Sequence, residues 1–198
     1  MTNRRQEILD AALPIFVEKG FISTTIADIR KASGATTGSI YHFFAGKPGI
    51  AIALWREANA TWSERTEAAR RAHTPEEMIK SSVRGLLEWA TSNRALFLFF
   101  EELRIRAYSD PDLAPIIEDI DRTHEVAAEL YKGWVKQGQV EDIAWPVASA
   151  LMMGPAYDYL RKCQDIDDHH DAIEIIVQNA WMSVSRDCRK SNRRNRSQ

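Results

Sequence analysis

The sequence predicts an all-α fold, and three observations predict it. Apolar residues recur at helical spacing, as in Ile8, Ala12, Ile15 and Phe16, which places them on one face of a 3.6-residue repeat. No sustained period-2 alternation is present, and neither an Asn-Gly nor an Asp-Gly pair marks a hairpin. Glycines, prolines and capping residues divide the chain into helix-length pieces. Their order predicts a small three-helix N-terminal unit with a helix-turn-helix, then a larger helical region. A length of 198 residues suits one ordinary domain or a small domain joined to a larger one.

The first helix is expected from Arg4 to Lys19, closed by Gly20 as a C-cap. Pro14 lies inside it, removes one backbone bond and predicts a kink. Thr25 and Asp28 have capping-box spacing and open the second helix, with Ile26 and Ile29 facing inward and Gly34 at its end. Thr36 caps a third helix from Thr37 to Phe44. Gly46 ends it, and a fourth runs from Lys47 to Arg71. Two short helices joined by a tight turn at Gly34 make a helix-turn-helix pattern.

Five further helices are expected at 75–91, 94–107, 112–136, 143–162 and 168–187. Thr74-Pro75-Glu76-Glu77 supplies a cap, a proline in the first turn and acidic residues at the positive end of the helix dipole. Asp110-Pro111 and Gly138 are breaks, and Gly154-Pro155 predicts a kink. Asp165 to Asp171 reads as an acidic turn. Residues 189–198, RKSNRRNRSQ, lack apolar side chains and are expected to be a disordered basic tail.

With 44% hydrophobic and 27% charged residues, the chain is globular rather than disordered as a whole. No apolar run reaches bilayer-spanning length, so no membrane partner is expected. Glu7 and Asp10 interrupt any signal-peptide core, which predicts a cytoplasmic protein. Cys163 and Cys188 fit no CxxC spacing and read as reduced thiols. The net charge of −2 divides into +2 over residues 1–50, −9 over 51–185 and +5 over 186–198. Any polyanion is therefore expected at the basic head or not at all. No phosphate-binding loop, HExxH, GxSxG or dinucleotide fingerprint is present, so no catalytic residue and no cofactor is assigned. His169-His170 among Asp165, Asp167, Asp168 and Asp171 could ligate a metal, but a solvated turn is the stronger reading.

The run ATTGSIYHFFAGK, residues 35–47, carries the functional signal. With Gly20-Phe21, Thr25-Ile26, Gly34-Ala35-Thr36-Thr37-Gly38-Ser39-Ile40-Tyr41 and Lys47 in order, residues 6–55 resemble the TetR family of bacterial transcriptional regulators. The sequence departs from that pattern at Pro14, Arg30 and His42. The resemblance implies a DNA-binding domain over 1–46 and a ligand-binding and dimerisation domain over 47–188. It implies a third helix that enters the major groove of double-stranded operator DNA and reads base edges from its first turns.

Thr37, Gly38 and Ser39 suit close approach, because glycine carries no side chain to clash. Thr25 and Thr36, as caps, lie beside amides that phosphate could meet. The resemblance gives Tyr41 a phosphate contact; Lys47 is a point charge for the DNA backbone, and His42 reaches a base or a phosphate. Ile40 and Phe44 are expected in the core.

In the larger region, helices 94–107 and 143–162 are rich in aromatic residues and Met. Phe97, Phe100, Met152, Met153 and Tyr157 are candidate walls of a pocket for an unknown small-molecule inducer, with Glu101, Glu102, Arg104 and Tyr157 as possible polar anchors. Plain core is the competing reading of these stripes. The last two long helices carry the expected homodimer face, around Ile175, Ile176, Asn179, Ala180, Met182, Ser183 and Val184, with Ala148, Ser149, Ala150 and Ala156 nearby. The expected function is a repressor released from DNA by an apolar or amphipathic ligand. The alternatives are an activator of the same kind and a helical ligand-binding protein without DNA function.

Overall fold

The computed structural model describes residues 4–65, 73–163 and 169–186, and it is helical almost throughout. In chain order the helices are α1 (Arg4–Ser23), α2 (Ile26–Ser33), α3 (Thr37–Phe43), α4 (Gly46–Arg65), α5 (Pro75–Ser92) and α6 (Arg94–Ala107). A 3-10 turn (Pro111–Leu113) leads into α7 (Ala114–Lys136), followed by α8 (Trp145–Lys162) and α9 (His170–Met182). The basic tail, Cys188 and the predicted end of the fourth helix fall outside the described residues.

The chain forms two compact units, Met1–Trp62 with Arg94–Arg122, and Ser63–Asn93 with Thr123–Gln198. In the first, α1 packs on α2 and α6, and α2 meets α3. Ile8, Leu9, Ala12 and Phe16 of α1 are buried on one stripe, as their spacing requires. Phe16 stacks on Phe99 of α6 at 5.2 Å between ring centroids, an aromatic pairing that adds roughly 0.5–1.5 kcal/mol to its area burial. In the second unit, α5, α8 and α9 pack mutually. Arg84 of α5 donates two parallel hydrogen bonds to Glu174 of α9, the fork geometry that guanidinium and carboxylate share.

Two expectations about α1 resolve differently. The helix continues through Pro14, which is exposed, as is Asp10 four residues before it. The break comes at Gly20, whose φ of 75° and ψ of 167° are non-helical and suit glycine. α8 is one helix across Gly154-Pro155, with Pro155 exposed. The capping box predicted at Thr25–Asp28 is formed, and the cap read at Thr74 forms a second one with Glu77.

In the second unit the loop after α7 is tied to the end of α9. Val140 forms an antiparallel bridge with Ser185, the Glu141 N–H donates to the Val184 carbonyl at 2.8 Å, and the Tyr131 hydroxyl donates to the Glu141 carbonyl at 2.8 Å.

Candidate nucleic-acid interface

The candidate interface is built on α2, its turn and α3. Thr25 starts α2 by accepting the Asp28 N–H at 3.2 Å, while the Asp28 carboxylate accepts the Thr25 N–H at 3.0 Å. The Thr25 hydroxyl, then the Lys19 ammonium, favours the ionised carboxylate and lowers the Asp28 pKa from 3.8 to about 2. Gly34 ends α2 in the left-handed region at φ 62°, where a side chain would be strained. Arg4 holds this turn from outside, donating to the Gly34 carbonyl at 2.7 Å and the Ser33 carbonyl at 3.4 Å. Sequence reasoning missed Arg4; its only signal was a cation at the start of α1, with nothing to say which turn it would meet.

Thr36 caps α3 by accepting the Ser39 N–H at 3.1 Å. Ala35, Ile40 and Phe44 are buried and fix the helix to the unit. The helical repeat then turns Thr37, Gly38, Tyr41 and His42 outward, and all four are exposed; Tyr41 is 59% accessible. Ser39 is half-buried, and the exposed Phe43 packs edge-on against His42 at 4.8 Å. Small hydroxyl-bearing side chains, a bare glycine, a phenol and an imidazole thus share one solvent face.

Lys47 is placed differently from the rest. Its ammonium donates to the carbonyls of Phe21 and Ile22 at 2.8 and 3.0 Å and lies 4.6 Å from the Phe21 ring centre. Burial lowers its pKa, with Arg106 adding to the shift and Glu102 and Asp110 opposing it. Thr25 also spends its hydroxyl locally, donating to Asp28 at 2.7 Å.

The predicted ligand residues fall into both units. On α6, Phe97, Phe100 and Glu101 are buried. Arg104 donates to both Glu101 oxygens at 2.7 and 2.9 Å, and Phe100 meets Trp55 edge-on at 5.7 Å. Glu102 is not an open anchor: it accepts from the Phe21 N–H at 3.1 Å and from Arg106 at 2.8 Å. On α8, Met152 is buried, while Met153 and Tyr157 are half-buried. A groove of about 650 Å³ in the first unit is lined instead by Arg5, Phe43, Phe44, Ile52 and Arg56 among others.

Among the described residues, no group of three or more His, Cys, Asp or Glu is arranged to hold a metal. His169 is engaged through Nδ1 with the Tyr159 hydroxyl at 2.7 Å. Asp165, Asp167 and Asp168 lie outside the described residues. No helix among the described residues is long and apolar enough to cross a membrane.

Residues 8–54 match the profile of the family described as "Bacterial regulatory proteins, tetR family". The chain is 36% identical over 88 residues to the HTH-type transcriptional repressor AcnR of Corynebacterium glutamicum, covering 44% of this chain and 42% of that protein. It is 28% identical over 141 residues to the HTH-type transcriptional regulator RutR of Escherichia coli K12, covering 71% and 66%. The alignment with AcnR spans less than half of either protein. The fold is similar to that of a TetR family regulator from Marinobacter aquaeolei VT8, with a TM-score of 0.74 at 18% identity over 92% of this chain and 95% of that one. The ketosteroid transcriptional regulator KstR2 of Mycobacterium tuberculosis aligns with a TM-score of 0.67 at 18% identity, covering 94% and 97%. Residues 8–54 thus carry the N-terminal helix-turn-helix profile of the tetR family, and the chain as a whole shares the helical fold of the Marinobacter aquaeolei regulator.

Proposed function

We propose that the chain is a transcriptional regulator that binds operator DNA through the outward face of α3. One observation carries this reading: Ile40 and Phe44 point in, while Thr37, Gly38, Tyr41 and His42 are exposed together. A short helix held from behind and small in front can enter the major groove. In this reading Thr37, Gly38 and Ser39 approach bases, Tyr41 and His42 reach bases or phosphate, and Thr25 and Thr36 present helix-start amides. Lys47 orders the corner at Phe21 and lends its charge from there. Residues 1–46 are the reading part, 47–188 serve effector binding and dimerisation, and 189–198 add salt-sensitive attraction.

We further propose a homodimer through α8 and α9. Val147 and Leu151 on α8 are exposed, as are Ile175 and Met182 on α9, and such apolar stripes suit a self-complementary two-fold interface. A repressor released by a small apolar or amphipathic effector is the mode we favour over activation, because the named relative AcnR is a repressor. Of the candidate effector contacts, Met153 and Tyr157 are favoured: Phe97 and Phe100 are packed inside the first unit, and Glu101 and Arg104 neutralise each other.

Selection of duplexes from a random library by the full chain tests the reading. The expected product is an inverted repeat whose half-sites lie about one helical turn, ~34–36 Å, apart. Failure to enrich any duplex at low salt would overturn it.

A further inference from the structure

We propose that Glu102 is a positioning residue for DNA recognition: its carboxylate holds the Phe21 N–H and so fixes the corner from which α2 and α3 are presented. The proposal rests on the DNA-binding reading above and names a part of its control.

The argument starts at Gly20. Its positive φ stops α1, and the next amide, Phe21 N–H, donates outside the helix, to Glu102 Oε2 at 3.1 Å. A buried or half-buried amide left without a partner is costly, and Glu102 meets that need from a helix 81 residues further along the chain. The carboxylate is itself aimed, because Arg106 one turn later donates to its other oxygen at 2.8 Å. The fit is close: a Cβ added at Gly20 would lie 3.3 Å from Glu102 Oε2.

The same short segment is gripped on its acceptor side. Lys47 of α4 takes the carbonyls of Phe21 and Ile22, and the Thr24 hydroxyl donates to the Gly20 carbonyl at 2.8 Å. The Phe21 ring packs against Phe16, which stacks on Phe99 of α6. Three helices therefore meet on one corner, α6 through an acceptor, α4 through a cation and α1 through its own chain. Four residues after Phe21 comes Thr25, the cap of α2. A movement of α6 along its axis would pull the Phe21 amide and re-aim α2, and α3 after it. Glu102 is a hydrogen-bonded link in that chain of parts; the Phe16–Phe99 contact of α6 beside it is ring packing, which tolerates sliding.

Three variants of the full chain separate this from a merely charged or merely structural role. Glu102→Ala removes the acceptor. Glu102→Asp keeps the charge but is one methylene too short. Glu102→Gln keeps one acceptor oxygen, at the same reach, for the Phe21 amide and gives up both the charge and the acceptor for Arg106. Hydrogen exchange of the Phe21 amide and affinity for the duplex selected by the unmodified chain are read for each, with the thermal midpoint as a folding control. The expected order is that Ala and Asp speed Phe21 exchange at least about tenfold and weaken duplex binding about 5–50-fold, values in the range of one lost positioning contact. Gln is expected to recover most of both. Duplex binding unchanged in Glu102→Ala, or preserved in Asp and lost in Gln, would overturn the proposal. Should Glu102→Ala fail to fold, the Asp and Gln pair decides alone. If the unmodified chain selects no duplex, the DNA-binding reading fails, while the exchange measurement still reports whether Glu102 holds the corner.

Discussion

Asp28 shows how one side chain serves both the cap of α2 and an ion pair across to α1. Its carboxylate closes the cap of α2 and meets Lys19 at 3.0 Å. Its folded pKa of about 2 lies below the ordinary 3.8, so the unfolded chain binds the proton first as pH falls. The stabilising contribution is therefore complete above about pH 4 and is lost as the pH drops through about 2. Following the Asp28 carboxyl resonance by NMR should give a midpoint near 2, with faster exchange at the first amides of α2 on the acid side; a midpoint near 4 would show the cap open in solution. This cap was legible in the sequence because its partners are three residues apart and any helix start brings them together. Lys47 was legible only as a charge. Its partners are the carbonyls of Phe21 and Ile22, and no spacing rule predicts a meeting set by how α4 crosses α1. The partners of Glu102, the Phe21 amide and Arg106, were illegible for the same reason: a glutamate on an aromatic helix looks alike whether it faces a ligand or a distant amide.

α3 has two faces with opposite expectations. Ile40 is fully buried, so Ile40→Ala should cost about 2–5 kcal/mol through lost burial and an unfilled cavity. Tyr41 is largely exposed, so Tyr41→Phe should leave thermal stability within about 0.5 kcal/mol. The same change should weaken binding to the selected duplex by about 1 kcal/mol, the scale of one hydrogen bond. Thermal melting and fluorescence anisotropy on the two variants check the pair; equal losses of stability would mean that the tyrosine is core. The element boundaries themselves were readable. The 94–107 helix matches α6 (Arg94–Ala107) end to end, because Asn93 and the following Tyr-Ser-Asp-Pro stretch punctuate it. The end of the regular α1 helix at Gly20 was readable, and Pro14, read as a kink, is exposed within continuous helix.

At the scale of the whole molecule, the proposed dimer face can be tested without touching the proposed DNA-binding face of α3. Ile175 on α9 is 61% exposed, so Ile175→Glu should fold normally. In a dimer it would place unpaired charges on facing apolar surfaces. Sedimentation should then report a monomer, and affinity for a two-half-site duplex should fall at least about tenfold. An unchanged dimer would move the interface elsewhere. The sequence places the apolar residues of α8 and α9 together, but it does not separate those turned inward, such as Ala148, Ala156 and Ala180, from those turned out. That division depends on where α5 packs.

The first unit draws on two separate stretches, Met1–Trp62 and Arg94–Arg122, and this bears on how such genes can diverge. A recombination event that traded only the first 46 residues for those of another protein of this fold would import a new α3 but strand its corner. Phe16 and Phe21 would arrive without the Phe99 and Glu102 they are fitted to. Inherited change in the outer face of α3 is therefore easier by point substitution there than by exchange of whole leading segments. Lineages that did swap such a segment should carry compensating changes near residues 99–106.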